Sequence, residues 1–286
     1  MLFDPFLYVA FGVGFVAGRF VRVPGPWLGR ATLATIVVLV GLLGASLASV
    51  PLLALAETLP VAVAFALLLL GLTTAAYLLL ARHETRPATT TPAGIGERFP
   101  ISVVLLGALL VGFVLGHLLS LPFTSGIPWA LYALLALVAF GLHISAESVR
   151  RAWVPIVAAG SGAVAAALVL SAVLGTALPE SLATALAFGW YTLAGPLVAE
   201  RAGPALGLLA FLTNFLREDL TMLLSPVVGR RLRGEGLAAL GGATSMDTTL
   251  YFVTQYGDTE AGGLALASGL VLTVAASLLL PLILAL

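Results

Sequence analysis

The sequence predicts an all-α fold: a polytopic membrane protein of about ten apolar segments, with inverted repeats and broken or re-entrant helices. Of its 286 residues, 60% are hydrophobic and only 9% are charged, whereas soluble domains have about 45–50% and ~25%. Apolar runs of about 20 residues recur along the chain, the length that crosses the ~30 Å hydrocarbon core as a helix. Lipid satisfies no backbone polar groups, so these spans must be helical.

The charged residues and the motifs exclude several functions. The chain carries 13 basic residues, all of them arginine, and 13 acidic residues, so its formal net charge is zero. This distribution offers no basic patch, and we expect no nucleic-acid partner. The chain has no cysteine, which excludes disulfides and thiolate metal sites. Zinc-protease and nucleophile-elbow motifs do not occur, so we expect neither a cofactor nor a metal.

Hydropathy and proline define the elements in order. Prolines, which end or kink helices, fall at the boundaries between apolar runs. The runs lie at about 5–21, 31–50, 55–81, 101–121, 127–146, 152–178, 181–199, 204–229, 236–256 and 262–286. The polar stretch 83–99 is predicted to be a cytoplasmic linker. It separates an N-terminal three-segment membrane unit, 1–82, from a C-terminal membrane unit, 100–286, which carries the expected transport site.

Two short echoes indicate an internal repeat across this linker. "VGFVAGR" at 13–19 recurs as "VGFVLGH" at 111–117, and "VLVGLLGAS" at 38–46 resembles "VAFGLHISA" at 138–146. Because the repeated unit holds three segments, its two copies would have opposite orientations in the membrane. Inverted repeats of this kind are typical of secondary transporters.

Arginines indicate the orientation of the segments. They flank the first, third and fifth connections: Arg19, Arg22, Arg30, Arg82, Arg86, Arg98, Arg150 and Arg151. Since arginine-rich loops stay in the cytoplasm, we expect the N-terminus outside. The same rule fails farther on, because Arg230, Arg231 and Arg233 would face outward if 181–199 and 204–229 each crossed once. We expect 204–229 to be broken or re-entrant at "NFLRED"; the alternative is that 181–199 dips in and returns.

A polar stripe runs along the segment that contains "NFLRED". On a helix, Asn214, Glu218, Thr221 and Ser225 share one face, and Asp219 points about 100° away. An ionised carboxylate at mid-membrane costs ~2.5–3.5 kcal/mol on insertion scales, so it normally faces a cavity or a partner. The residues therefore form either a functional site or a structural ion cluster that includes Arg217.

A second polar cluster is "GGATSMDTTLYF", which contains the predicted site residues Gly241, Gly242, Thr244, Ser245, Asp247 and Thr248. Paired glycines before small polar residues favour an unwound segment that opens a helix, where free amides can hold an anion and Asp247 a cation. Small residues also serve ordinary helix packing in membranes. We expect this segment to be broken and to lie close to "NFLRED", because each cluster can satisfy the other.

Weaker candidates are His143, spaced i, i+4 from Glu147, and the aromatic pair Trp190 and Tyr191. Glu147 lies beside arginines near the expected cytoplasmic face, which favours a surface ion pair. Tryptophan and tyrosine in membrane proteins more often pack against helices or lie at the membrane–water interface than bind a ligand.

The stretches "LAFGWYTLAGPLVAERAGPALGLLAFLTNFLREDLTMLLSPVVGRR" and "LGGATSMDTTL" resemble the lysine exporter LysO family of bacteria and archaea, over about 140 residues to the C-terminus. The resemblance implies an inner-membrane protein that exports L-lysine, and its toxic analogue thialysine, in exchange for protons. The glutamate of the family's "LRE" stretch falls on Glu218, and the aspartate of "SMD" falls on Asp247. The chain departs from the family at Phe215, where an aspartate is frequent, and at Asp219, where the family lacks an acid.

The physical case for this function rests on charge. Exporting a cation against an inside-negative potential costs ~2.3 kcal/mol per 100 mV, so a lysine exporter needs a driving ion, and exchange for one proton cancels the charge movement. We expect Glu218 to alternate between a proton and an ammonium group, with Asp247 as the second cation contact. Thr244, Ser245 and nearby backbone amides would hold the α-carboxylate.

Two alternatives belong to other classes. A similar scaffold could exchange or symport another small organic ion, since a fold alone says little about substrate. An intramembrane protease could pair Asp247 with Asp258, but the usual paired motifs are absent. We therefore expect a transporter and not an enzyme.

Overall fold

The computed structural model of the chain describes residues 5–21, 23–81, 101–119, 123–141 and 144–286. The predicted linker 83–99 and the candidate His143 lie outside these ranges. Within them the regular elements are twelve α-helices and three short 3-10 turns, which confirms the all-α prediction. The helices are α1 (Pro5–Phe20), α2 (Gly25–Ser46), α3 (Leu52–Ala81), α4 (Ile101–Leu119), α5 (Ile127–Phe140), α6 (Ala146–Arg151), α7 (Trp153–Leu174), α8 (Leu178–Ala185), α9 (Tyr191–Ala202), α10 (Pro204–Gly241), α11 (Leu250–Tyr256) and α12 (Ala261–Leu284).

Among the described residues, four helical stretches are long and apolar enough to cross a membrane: Pro26–Ser46, Leu52–Ala81, Ala146–Leu174 and Ala261–Leu284. Three shorter apolar helices, within α1, α4 and α5, accompany them. Many large aliphatic side chains on these helices are exposed, as on a surface that lipid covers. The chain is therefore a polytopic membrane protein.

One compact unit of the chain contains α1, α2, α4 and α5. Within this unit α1 packs on α5 and α2 packs on α4, and glycines allow the backbones to touch. A Cβ at Gly14 would collide with the carbonyl of Ala136, and a Cβ at Gly112 would collide with that of Gly41. Gly14 and Gly112 hold the same position in the two echoes at 13–19 and 111–117. The repeated sequence thus makes equivalent contacts, while its inverted orientation stays a prediction.

The other compact unit contains α3 and α6 to α12. This division differs from the predicted division along the chain, because α3 precedes the linker but packs with the later helices. Gly162 of α7 allows this packing: a Cβ there would lie only 2.6 Å from the Cα of Thr73 on α3.

The first helical hairpin consists of α8 and α9, joined by residues 186–190. At the joint Phe188 has φ 54° and Gly189 has φ 95°, left-handed conformations that no helix can continue. At its base, α9 lies against the start of α10: a Cβ at Gly207 would approach within 2.7 Å of the Cα of Ala199. The segment therefore enters beside the end of α7 and returns to the start of α10.

The second helical hairpin covers residues 234–256. It begins at Arg233, whose φ of 57° and ψ of −173° separate the two helices within α10. It turns through the 3-10 segment Gly242–Met246 and returns as α11. Its two ends meet, since Arg151 binds both Glu235 and Asp258. This segment also enters and returns on one side.

The two hairpins enter from opposite ends of the unit. α7 starts beside Arg151 at the base of the second hairpin and ends at the base of the first, and the first part of α10 runs back. Helix α7 and the first part of α10 are each long enough to cross the ~30 Å hydrocarbon core. Arg231 and Arg233 consequently lie at the same end as Arg150 and Arg151, as the positive-inside rule requires.

The predicted interruption at "NFLRED" is wrong. The helix is continuous from Pro204 to the irregular residue Arg233, and residues 181–199 instead belong to a helical hairpin, as the alternative expects. Residues 236–256, expected to contain a break, are interrupted at Gly242–Met246 and form the second hairpin. No break is needed at Asn214–Asp219 because neighbouring elements cover these polar side chains.

Candidate functional site

The predicted polar stripe on α10 faces the interior of its unit. Asn214 and Ser225 are fully buried, and Glu218 and Thr221 are 3% and 1% exposed. Arg217 and Asp219, on other faces of the same turn, are buried as well. Helix α10 therefore presents charged groups to both hairpins.

Asn214 anchors the first hairpin to α10. Its Oδ1 accepts a 2.9 Å hydrogen bond from the backbone N–H of Gly189, and its Nδ2 donates to the carbonyl of Thr184 at 2.8 Å. A third bond runs from Nδ2 to the carbonyl of Ala210. One side chain thus satisfies backbone groups on both sides of the break, which a broken helix needs.

Arg217 binds the tip of the second hairpin. Its Nε donates to the carbonyl of Leu240 at 3.1 Å, and its Nη2 donates to the carbonyl of Ala239 at 3.2 Å. These carbonyls end a helix, where a cation is favoured by the helix dipole. The guanidinium carbon lies 5.9 Å from the ring centroid of Phe188, at the tip of the first hairpin.

Three carboxylates gather beside these tips. The carboxylate of Glu218 interacts electrostatically with those of Asp247 and Asp219. Thr248 connects two of them: its hydroxyl faces Glu218 and lies 3.2 Å from Oδ1 of Asp247, which also accepts the Thr248 N–H at 2.6 Å. The hydroxyl of Tyr191 interacts with all three acids. We call Glu218, Asp219, Asp247, Thr248 and Tyr191 the acid cluster.

Several polar atoms of this region have no partner among the described residues. They are buried: Oε1 of Glu218, both carboxylate oxygens of Asp219, and Nη1 of Arg217. Buried polar groups without partners are rare and costly, and they point to a ligand or to water. The guanidinium forms no ion pair with Glu218 or Asp219 in the described part of the chain, so the alternative of a structural ion cluster is not formed.

The remaining predicted residues have different positions. Gly242 has φ 66° and a Cβ there would lie 2.7 Å from the carbonyl oxygen of Phe188, and Gly241 precedes it in the predicted break. The hydroxyls of Thr244 and Ser245 donate to the carbonyls of Gly241 and Gly242 at 3.0 and 2.8 Å. In this conformation they stabilise the turn, and their protons are not available to a carboxylate.

Two further candidates are not part of the acid cluster. Trp190 precedes Tyr191, but its indole N–H donates to the hydroxyl of Thr192. The protease alternative pairs Asp247 with Asp258. Asp258 binds Arg151 at 2.8 Å, at the base of the second hairpin, whereas Asp247 lies at its tip. The structure therefore does not bring Asp247 and Asp258 together.

The sequence profile of the family described as "Lysine exporter LysO" matches residues 106–284, more than half of the chain. The chain belongs to the LysO family. It is 32% identical over 194 residues to the lysine exporter LysO of Escherichia coli (strain K12), covering 64% of this chain and 63% of that protein. It is 29% identical over 188 residues to a candidate lysine exporter of Haemophilus influenzae, covering 62% of this chain and 94% of that protein. No solved structure matches the chain.

The part of the chain that matches the LysO family contains both hairpins and the whole acid cluster. The resemblance inferred from "FGWY", "LRE" and "GGATSMD" is thereby confirmed. Those motifs correspond to the tip of the first hairpin, the middle of α10 and the tip of the second hairpin. Residues before 106, which include α1 to α3, lie outside the match.

Proposed function

We propose that the protein exports L-lysine, and analogues such as thialysine, across the cytoplasmic membrane by proton antiport. The observation that carries the proposal is the acid cluster: the buried carboxylates of Glu218 and Asp219 and the half-buried carboxylate of Asp247 beside the tips of two opposed hairpins, with no cationic side chain paired to them in the described residues. Buried carboxylates need protons or an external cation. Membership of the LysO family supports lysine as that cation.

In this mechanism Glu218 alternates between a proton and the substrate's ammonium group, and Asp247 is the second cation contact. The free Oε1 of Glu218 can accept from the ammonium, while the hydroxyl of Thr248 orients the carboxylates of Glu218 and Asp247. Binding one lysine cation in place of one proton keeps the charge of the site constant. The exchange therefore avoids the ~2.3 kcal/mol per 100 mV that exporting a lone cation would cost.

The opposed hairpins also support an orientation. Arg150, Arg151, Arg231 and Arg233 gather at the base of the second hairpin and would lie in the cytoplasm. Counting the apolar helices back from this end gives an external N-terminus. With this orientation, the predicted repeat of three segments would have its two copies inverted in the membrane.

Counterflow in proteoliposomes tests the function. Purified protein should exchange internal unlabelled for external labelled lysine, and an imposed pH gradient should drive net lysine movement. Glu218→Gln keeps the side-chain shape and removes the proton, so it should abolish the pH-driven component. Glu200→Gln, on an exposed residue of α9, is the matched control. Wild-type rates of pH-driven transport in folded Glu218→Gln would contradict the mechanism.

A further inference from the structure

Arg217 is a fully buried cation whose electrostatic partner is not supplied by the described chain. It is 0% exposed, and burying a guanidinium is costly unless it is paired and hydrogen-bonded. Nε and Nη2 bind two backbone carbonyls, but Nη1 has no partner within the described residues. The Nη1 side of the guanidinium is therefore available to a ligand.

The acids beside Arg217 in sequence do not neutralise it. On a helix, successive side chains diverge by about 100°, so Glu218 and Asp219 point away from the guanidinium. Asp247 and Tyr191 belong to the electrostatic surroundings of Glu218, whereas no carboxylate of the described residues binds Nη1 of Arg217. The site consequently has two separate poles, one anionic and one cationic.

We propose that Nη1 of Arg217 binds the carboxylate of the transported amino acid. The inference deepens the proposed function and rests on it. Arginine presents a planar fork of donors that matches a carboxylate, and a charge-assisted bond in a buried site is strong. Lysine fits both poles because a flexible four-carbon stem separates its ε-ammonium from its α-carboxylate.

This assignment replaces Thr244 and Ser245 as the carboxylate contact, since their hydroxyls donate to backbone carbonyls. It also makes Arg217 responsible for specificity. A diamine such as cadaverine has the same ammonium and stem but no carboxylate, so it would leave the guanidinium unpaired in the closed site. A site that binds a polar group rejects analogues that lack it.

The first test uses the unmodified protein. Unlabelled lysine, lysinamide and cadaverine compete with labelled lysine in the counterflow assay. Lysine should compete about 10- to 100-fold better than the other two, as expected for a lost hydrogen bond to a charged group. Equal competition by cadaverine and lysine would overturn the inference. If labelled lysine itself is not exchanged, the proposed function fails before this comparison is reached.

The second test uses Arg217→Lys, which keeps a cation near the carbonyls of Ala239 and Leu240 but lacks the fork. Lysine should compete about tenfold less well, while competition by cadaverine should stay within about twofold of wild type. Arg201→Lys, on an exposed arginine of α9, is the control. Equal weakening of lysine and cadaverine would mean that Arg217 is only structural. If Arg217→Lys does not fold, the wild-type comparison decides.

Discussion

The backbone N–H of Ala243 donates a 2.9 Å hydrogen bond to the backbone carbonyl of Phe188. The bond joins the tips of two hairpins that enter the unit from opposite ends. Both residues lie where a helix has stopped, so each supplies a backbone group with no helical partner. Side chains from the middle of α10 support both tips: Asn214 on the first and Arg217 on the second.

Asn214→Leu should destabilise the protein. Leucine has a similar size but leaves the N–H of Gly189 and the carbonyl of Thr184 without their partners, at a cost of about 1–3 kcal/mol for each buried group. The apparent melting temperature in detergent should fall. Ser161→Ala, which removes a hydroxyl bonded within the exposed face of α7, should change it little. An unchanged melting temperature in Asn214→Leu would show that the tip is stabilised by other contacts.

Gly242→Ala should weaken the contact between the tips. Gly242 has φ 66°, and a Cβ would lie 2.7 Å from the carbonyl oxygen of Phe188 and 3.0 Å from Nη2 of Arg217. Backbone strain and overpacking should together cost roughly 2–4 kcal/mol. Gly160→Ala is the control, since nothing lies within 4 Å of its Cβ position and alanine favours the helix by about 0.5–1 kcal/mol. Gly242→Ala should have a lower melting temperature and slower lysine counterflow than Gly160→Ala. Equal melting temperatures and equal rates would contradict the contact between the tips.

The sequence predicts those parts of the site that depend on local pattern. The spacing of Asn214, Glu218, Thr221 and Ser225 places them on one buried face, and the glycine pair before Asp247 predicts the second break. The sequence does not predict that the helix stays continuous through "NFLRED" and that the segment before it, 181–199, belongs to a hairpin instead. That outcome depends on Asn214 and Arg217 reaching backbone groups about 25 residues away in the chain. The packing of α3 with the later helices is equally non-local.

Arg151→Met should destabilise the base of the second hairpin. Its side chain is 9% exposed and binds Glu235 and Asp258, and removal of one partner of a buried ion pair costs about 3–5 kcal/mol. Arg150→Met is the neighbouring control: Arg150 pairs with Glu147 in solvent, 72% and 40% exposed, where a pair contributes about 0–1 kcal/mol. The double variant Arg151→Met with Glu235→Met should recover stability in thermal unfolding. If it melts as low as Arg151→Met alone, the unpaired carboxylate is not the cause.

Side-specific labelling tests the opposed hairpins. The chain has no cysteine, so single cysteines can be introduced without removing any. Arg150→Cys, Arg231→Cys and Thr259→Cys lie near the base of the second hairpin, and Ala177→Cys and Arg201→Cys lie near the base of the first; all five positions are exposed.

An impermeant maleimide added to intact cells should label only Ala177→Cys and Arg201→Cys. The other three should react after the membrane is opened, because arginine-rich ends stay in the cytoplasm. Total labelling in detergent controls for reactivity at each position. Two plain spans at 178–202 and 234–256 would instead place Arg201 and Ala177 on opposite sides, and Arg231 and Thr259 on opposite sides. Labelling that separates either of these pairs would therefore exclude re-entrant hairpins and, with them, the meeting of Phe188 and Ala243 at the centre of the unit.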